Sequence, residues 1–194
     1  MKKMRSCKKT VFKIFLFILI LSITAVIIYP YFARTYLFPK NYSQYVNAYS
    51  REYNVDENFI YAIIRTESHF DENAVTNAGA KGLMQITEDT YKWAKNKMRV
   101  DDGSTYENIF DPNVNIKYGT YILSILFSEF KDEKTVAAAY HAGRGIVKKW
   151  LTNDDSTQEE SLEIDKYKFP ITDSYVNKVI DAKNMYEKLY IQNN

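Results

Sequence analysis

Cysteine and histidine are scarce in this chain: there is one cysteine, Cys7, and two histidines, His69 and His141. One cysteine allows no internal disulfide. Two histidines without an H-E-x-x-H pair leave a zinc site short of ligands, so no metal or other cofactor is expected. The chain holds no Gly-x-x-x-x-Gly-Lys-Ser/Thr cradle for phosphates. Ser68 and His69 are neighbours on an expected helix and point in different directions, which argues against a Ser-His-Asp arrangement. Strand alternation and internal repeats are absent too, which leaves an all-α reading.

Acidic residues are missing from the first part of the chain altogether. Of the 26 lysines and arginines, Lys2, Lys3, Arg5, Lys8, Lys9 and Lys13 precede Arg34, and all 24 acids follow it. The overall net charge of +2 therefore hides a value of −4 for residues 34–194. No basic stripe for nucleic acid is implied. The basic residues 1–13 lead into an apolar run, residues 14–33, of about the length that crosses a membrane. The run is long for a signal peptide and lacks a good small-x-small cleavage site, so an uncleaved single-pass anchor is expected. The basic flank predicts a cytoplasmic N-terminus and a domain on the outer side of the membrane. Cys7 precedes the run, so it is not a lipoprotein acylation cysteine, and its cytosolic side excludes a cysteine hydrolase outside the membrane. Pro30 and Pro39 bracket an aromatic connector and are expected to end the helix nearby. Residues 34–40 read as linker and 41–191 as one domain.

Within that domain the pattern is helical throughout. Helices are expected over 41–53, from the N-cap Asp56 to Glu67, and from Thr87 to about 97 with Trp93 as its main anchor. Residues 99–108 read as polar loop. Asp111-Pro112 then opens a long central helix to about Phe130. Another runs from 132 or 133 to Ala142 and stops at Gly143. A short helix over 145–151, with Trp150 packed inward, and a last one from Pro170 to about Tyr190 complete the set. Residues 152–165 carry six acids and no base, and read as a solvated loop rather than a calcium loop.

The most informative position is Glu67. It lies one turn beyond Ile63 and Ile64, on the apolar face of its helix. An ionised carboxylate there is costly unless paired, so its pKa should rise, which suits a general acid near neutrality. A plainer reading has Glu67 curling out to solvent or pairing with Arg65 or Lys81. Just beyond it, Gly79 and Gly82 flank a turn that folds back toward the acid and brings Gln85 near. Asp71, Glu72, Glu88 and Asp89 sit in no recognisable second-acid motif and look like loop and helix-start charges.

Four segments in order carry a family resemblance: Glu67-Ser68-x-Phe70; Gly79-Ala80-x-Gly82-Leu83-Met84-Gln85-Ile86; Ala139-Tyr140-His141-Ala142-Gly143; and Pro170-x-Thr172-x-x-Tyr175-Val176. Together with Phe110-Asp111-Pro112-x-x-Asn115-Ile116-x-x-Gly119, they resemble the catalytic domain of soluble-lytic-transglycosylase-type, goose-lysozyme-like proteins. The resemblance spans about residues 42–190. It implies a compact lysozyme-like helical domain in a bacterial, membrane-anchored peptidoglycan lytic transglycosylase, a carbon-oxygen lyase acting on polysaccharide. A single acid, Glu67, would protonate the MurNAc-GlcNAc glycosidic oxygen and then serve as base on the MurNAc 6-hydroxyl, leaving a 1,6-anhydro end. Thr76 stands where the family usually has Ser. The turn would offer the Met84 carbonyl and the Gln85 side chain to the sugar, with Tyr140 close to Glu67 and Tyr175 facing the cleft. His141 replaces the usual Asn, Ile171 a common Glu and Asp173 a common Arg. His141 would hydrogen-bond as Asn does and add pH dependence near neutrality. The alternatives are a muramidase on the same fold, with a placed water and a second carboxylate, and a catalytically dead wall-binding or scaffold domain.

Overall fold

The basic start and the apolar run after it form one continuous helix, α1 (Lys2–Phe32). The structure is a computed structural model that describes residues 2–99, 102–152 and 170–190. It divides into two units, Met1–Pro39 and Lys40–Asn194. In the first, Phe12–Leu37 is a 26-residue stretch with an 18-residue window of mean hydropathy 2.6, none of that window buried. By length and composition it is one helix able to cross a membrane. Pro30 lies inside α1, contrary to the expected stop. A proline removes one N–H from the ladder, and here the helix continues past that single loss into a π-turn, Ala33–Leu37. Phe38 N–H closes that turn on the Ala33 carbonyl at 2.8 Å.

The second unit is helical. It contains α2 (Ser43–Tyr53), α3 (Glu57–Ser68), α4 (Glu88–Met98), a 3-10 turn (Tyr106–Phe110), α5 (Pro112–Phe130), α6 (Glu133–Ala142), α7 (Arg144–Thr152) and α8 (Pro170–Leu189). The helix starts are fixed by side chains that satisfy orphan N–H groups. Asp56 accepts from Phe59 N–H, Thr87 from Thr90 N–H, Asp111 from Asn113 N–H and Asp132 from Thr135 N–H. Gly143, at φ +98°, ends α6. The 3-10 turn occupies part of the expected polar loop. Its start is a Thr105/Asn108 capping box, and Ile109 is buried beneath it. Residues 153–165, with the calcium question, lie outside the described residues.

α5 is the central element. Ile116, Tyr118, Ile122, Leu123 and Leu126 are buried along it, and α2, α4 and α6 pack around it. α3 is buried from Phe59 to Ile64 and packs chiefly against α8, which also covers α6. The inward face of α8 is Tyr175, Val176, Val179, Ala182, Tyr186 and Leu189, with Ile180 at its edge. α4 differs from expectation. Tyr91 and Ala94 anchor it, and Trp93 is only half-buried. Tyr91 wins the core position because its hydroxyl finds a partner there, 2.8 Å from Ser104 Oγ.

Candidate active site

Glu67 stands in the last turn of α3, at the edge of the core, beyond the fully buried Ile63 and Ile64. Its Oε1 accepts a hydrogen bond from the Tyr175 hydroxyl at 2.6 Å. Burial raises its pKa from 4.5 to about 7, and the Tyr175 bond pulls the other way without overcoming it. The acid therefore neither curls out to solvent nor takes its pKa from Arg65 or Lys81. Lys81 lies instead over the rings of Tyr106 and Phe110, 4.7 and 5.5 Å from their centroids. Ser68 Oγ donates to the Ile64 carbonyl at 3.2 Å, back along its own helix.

The glycine-hinged turn is docked on α5 by one side chain. Lys81 and Ile86 exchange backbone hydrogen bonds at 3.1 Å, and Gly82 N–H reaches the Ala74 carbonyl at 2.9 Å. Asn115, fully buried on α5, accepts from Met84 N–H at 2.7 Å. Its amide donates to the carbonyls of Lys81 at 3.1 Å and Ile109 at 2.8 Å. Gly82 has φ +74°, and a Cβ there would overlap the Asn115 amide and press on the Ile109 carbonyl. Glycine is required at that position by both angle and space. One turn further along α5, Gly119 leaves the room that the buried Met84 thioether fills.

A cavity of about 640 Å³ lies over the acid, lined by Glu67, Thr76, Gln85, Asp89, Trp93 and Tyr140 among others. Thr76 pins the tip of the turn: its Oγ1 accepts from Ala80 N–H at 3.2 Å, and its carbonyl accepts from Gly79 N–H at 2.9 Å. Gln85 sits at φ +48°, a conformation its side chain helps to hold. Its Nε2 donates to the Gly82 carbonyl at 2.8 Å and the Ala74 carbonyl at 3.1 Å. Its Oε1 has no partner among the described residues. Met84 does not line the cavity, and its carbonyl accepts the Tyr140 hydroxyl at 2.7 Å. That bond ties α6 to the turn.

Tyr140 and Tyr175 both hold their protons. Burial raises both phenols well above the usual value, and the nearby Glu67 charge adds to it. His141 stacks on Tyr175, ring centroids 4.3 Å apart and 17° between planes. It makes no hydrogen bond among the described residues, so it packs rather than taking the amide role expected at this position. Desolvation lowers its pKa, which leaves it neutral at pH 7. Asp173 is half-buried on α8 and lines no cavity with Glu67.

The roles of four residues of the site were not assigned in the sequence reading. Trp93 turns toward the cavity, and its place between Tyr91 and Ala94 was the only clue. Asp89 is the one other carboxylate lining the cavity among the described residues. Arg144 also lines it, joined to Glu129, which Lys148 pairs as well. Asn115 was legible as a polar residue inside an apolar stripe, which calls for a buried partner.

Comparison with known proteins agrees with this arrangement. The family model described as the transglycosylase SLT domain matches residues 44–162. A putative soluble lytic murein transglycosylase of Haemophilus influenzae is 32% identical over 158 residues, covering 80% of this chain and 26% of that protein. The membrane-bound lytic murein transglycosylase C of Shigella sonnei is 35% identical over 114 residues, 54% of this chain and 32% of that one. The crystal structure of the 70 kDa soluble lytic transglycosylase of Escherichia coli superposes with a TM-score of 0.69 at 28% identity, covering 78% of this chain and 25% of that one. The chain thus spans about a quarter to a third of the length of these relatives. The matched segment holds the buried acid, the docked turn and the Tyr140 bond that ties α6 to it, so the chain belongs to the transglycosylase SLT domain family.

Proposed function

We propose that this chain is a peptidoglycan lytic transglycosylase with Glu67 as its single acid and base. The observation that carries the reading is a carboxyl group with a pKa of about 7, held by Tyr175 in the wall of a cavity. At neutral pH a large share of such groups is protonated and can give the proton to the MurNAc-GlcNAc glycosidic oxygen. The carboxylate left behind is the base for the next step. It takes the proton of the MurNAc 6-hydroxyl as that oxygen attacks C1, which closes the 1,6-anhydro ring. Bond and proton counts balance without water. The Tyr175 hydroxyl stabilises the carboxylate between the two steps. Thr76 and Trp93 offer a hydroxyl and an aromatic face to the sugars, and Gln85, whose amide oxygen is buried, lines the cavity and holds the turn. The Met84 carbonyl contributes by fixing Tyr140.

The named lytic transglycosylase relatives support this substrate class, and the membrane-bound one supports anchoring through α1. The basic flank of α1 favours an inside N-terminus with the catalytic unit facing the wall. Partners are then glycan strands and the membrane, and the −4 charge of residues 34–194 speaks against nucleic acid.

Hydrolysis has one observation in its favour, the carboxylate of Asp89 in the same cavity. A general base on water belongs to that reading. The deciding experiment is mass spectrometry of muropeptides released from purified peptidoglycan by the full chain in detergent, beside Glu67→Gln. Anhydro-MurNAc ends that vanish in the variant are expected. Reducing MurNAc ends would replace the proposal with a muramidase, and absence of any Glu67-dependent product would replace it with a wall-binding domain.

A further inference from the structure

Two rungs join α6 to α8. Lys183 of α8 meets the carboxylate of Glu133, at the start of α6, at 3.0 Å. Near the other end of α6, His141 meets Tyr175 of α8, with ring centroids 4.3 Å apart and 17° between planes. The rungs are eight residues apart on each helix, about 12 Å along each axis, and follow in opposite chain directions. The two helices are therefore antiparallel and in register, and the aromatic rung is the one beside the acid. α6 is a firm support there. Tyr140, next to His141, donates to the Met84 carbonyl at 2.7 Å, and Ala137, Ala138 and Ala139 are buried.

Tyr175 is buried, and its hydroxyl reaches Glu67 at 2.6 Å from the end of a long side chain. That bond holds only the tip of the ring. A small tilt would carry the hydroxyl off the line on which a hydrogen bond is strong. His141 lies against the same ring while itself exposed. It shares the cavity over the acid with Glu67, Asp89 and Arg144, and a second cavity with Arg65, His69 and Lys178. Desolvation keeps the imidazole neutral at pH 7 among these groups, so it offers Tyr175 a ring and not a charge. Flat rings in such a stack attract each other beyond the area they bury. We propose that His141 is a positioning residue for the acid: its ring clamps that of Tyr175 and so keeps the phenol hydroxyl on Glu67. The proposal deepens the reading of Glu67 as acid and base, and its part in the reaction rests on that reading. Where the resemblance sets Asn, this chain carries a ring with a larger flat face.

The test reads the titration of Glu67 directly, by NMR of the full chain in detergent with carbon-13 in the glutamate carboxyl groups. The Glu67 signal is the one that Glu67→Gln removes. His141→Ala takes away the clamp and should raise the Glu67 midpoint by about half a pH unit, because the bond that lowers it is loosened. His141→Asn, a second truncation that keeps a polar group, should do the same. His141→Phe restores a ring and should leave the midpoint where it is in the unsubstituted chain. In a Tyr175→Phe background there is no hydroxyl left to hold, so His141→Ala should add nothing. A residue that only keeps two helices in register would not make its effect depend on that hydroxyl. The proposal is overturned if His141→Ala leaves the midpoint unmoved or lowers it. Equal shifts with and without the Tyr175 hydroxyl, or recovery by Asn as complete as by Phe, overturn it as well. The titration needs no substrate, so the two readings fail separately. A clamp seen by NMR with no Glu67-dependent product from peptidoglycan removes the enzyme reading alone, and normal cleavage with an unmoved midpoint removes this inference alone.

Discussion

The hydroxyl of Tyr175 lies 2.6 Å from Oε1 of Glu67, joining side chains 108 residues apart. Two effects on the acid oppose each other there: burial raises the pKa, the hydrogen bond lowers it, and burial prevails at about 7. Tyr175→Phe removes only the lowering effect and keeps the ring that His141 stacks on. The Glu67 pKa should then climb further. Cleavage needs the protonated acid first, so the rate falls as pH rises through that pKa. The alkaline fall in kcat/KM should move up by about one pH unit in the variant. A profile superimposable on that of the unsubstituted chain would show that the bond does not govern proton transfer.

The same acid should weaken the fold in the range where it works. Its folded pKa of about 7 exceeds its unfolded value, so the folded state binds the proton more tightly. Stability is full below about pH 4.5 as far as this group is concerned, and is lost as pH rises toward 7. Glu67→Gln has no charge to bury. It should abolish cleavage, a loss of at least about a hundred- to ten-thousandfold. It should also be more stable than the parent at pH 8, by about 2 kcal/mol after allowing for solvent screening. Urea unfolding in detergent at pH 5 and pH 8 would check this, with the two proteins converging at the lower pH.

The turn depends on Asn115 more than on any residue of its own. Asn115→Ala strands the Met84 N–H and the Lys81 and Ile109 carbonyls in a buried setting. A cost of about 2–4 kcal/mol is expected. Gly82→Ala meets both a left-handed backbone and the Asn115 amide, and should cost a similar amount. Thermal unfolding of each variant measures the loss. Because both act on the same dock, their double variant should lose less than the sum of the two.

Asp89 separates the two chemistries. It lies in the first turn of α4, where the helix dipole favours its carboxylate. If Glu67 acts alone, Asp89→Asn leaves both the rate and the anhydro product unchanged. A drop in rate of about a hundredfold would make Asp89 the base of a hydrolysis. Product analysis of this variant reads the outcome directly.

Local features of the domain were legible because their causes are local. Asp56, Thr87, Asp111 and Asp132 mark helix starts through hydrogen bonds that span two or three residues, and Gly143 marks an end through its own backbone. The position of Glu67 on an apolar face followed from helical spacing. The partner of Glu67 did not, since nothing local distinguishes Tyr175 among 17 tyrosines; only the motif around it did. The exchange of roles between Tyr91 and Trp93 turns on Ser104, thirteen residues away, which gives the tyrosine hydroxyl a buried partner. The capture of the Met84 carbonyl by Tyr140 is likewise decided by a neighbour in space.

The packing of α8 over α3 and α6 has a consequence for when the acid acquires its setting. Synthesis runs from the N-terminus, so Glu67 leaves the ribosome long before Tyr175 does. Until α8 arrives, the acid has neither its hydrogen-bond donor nor the cover that lifts its pKa, and it behaves as an ordinary exposed carboxylate. On the proposed reading, cutting power is thus acquired late, when the last helix packs onto α3 and α6.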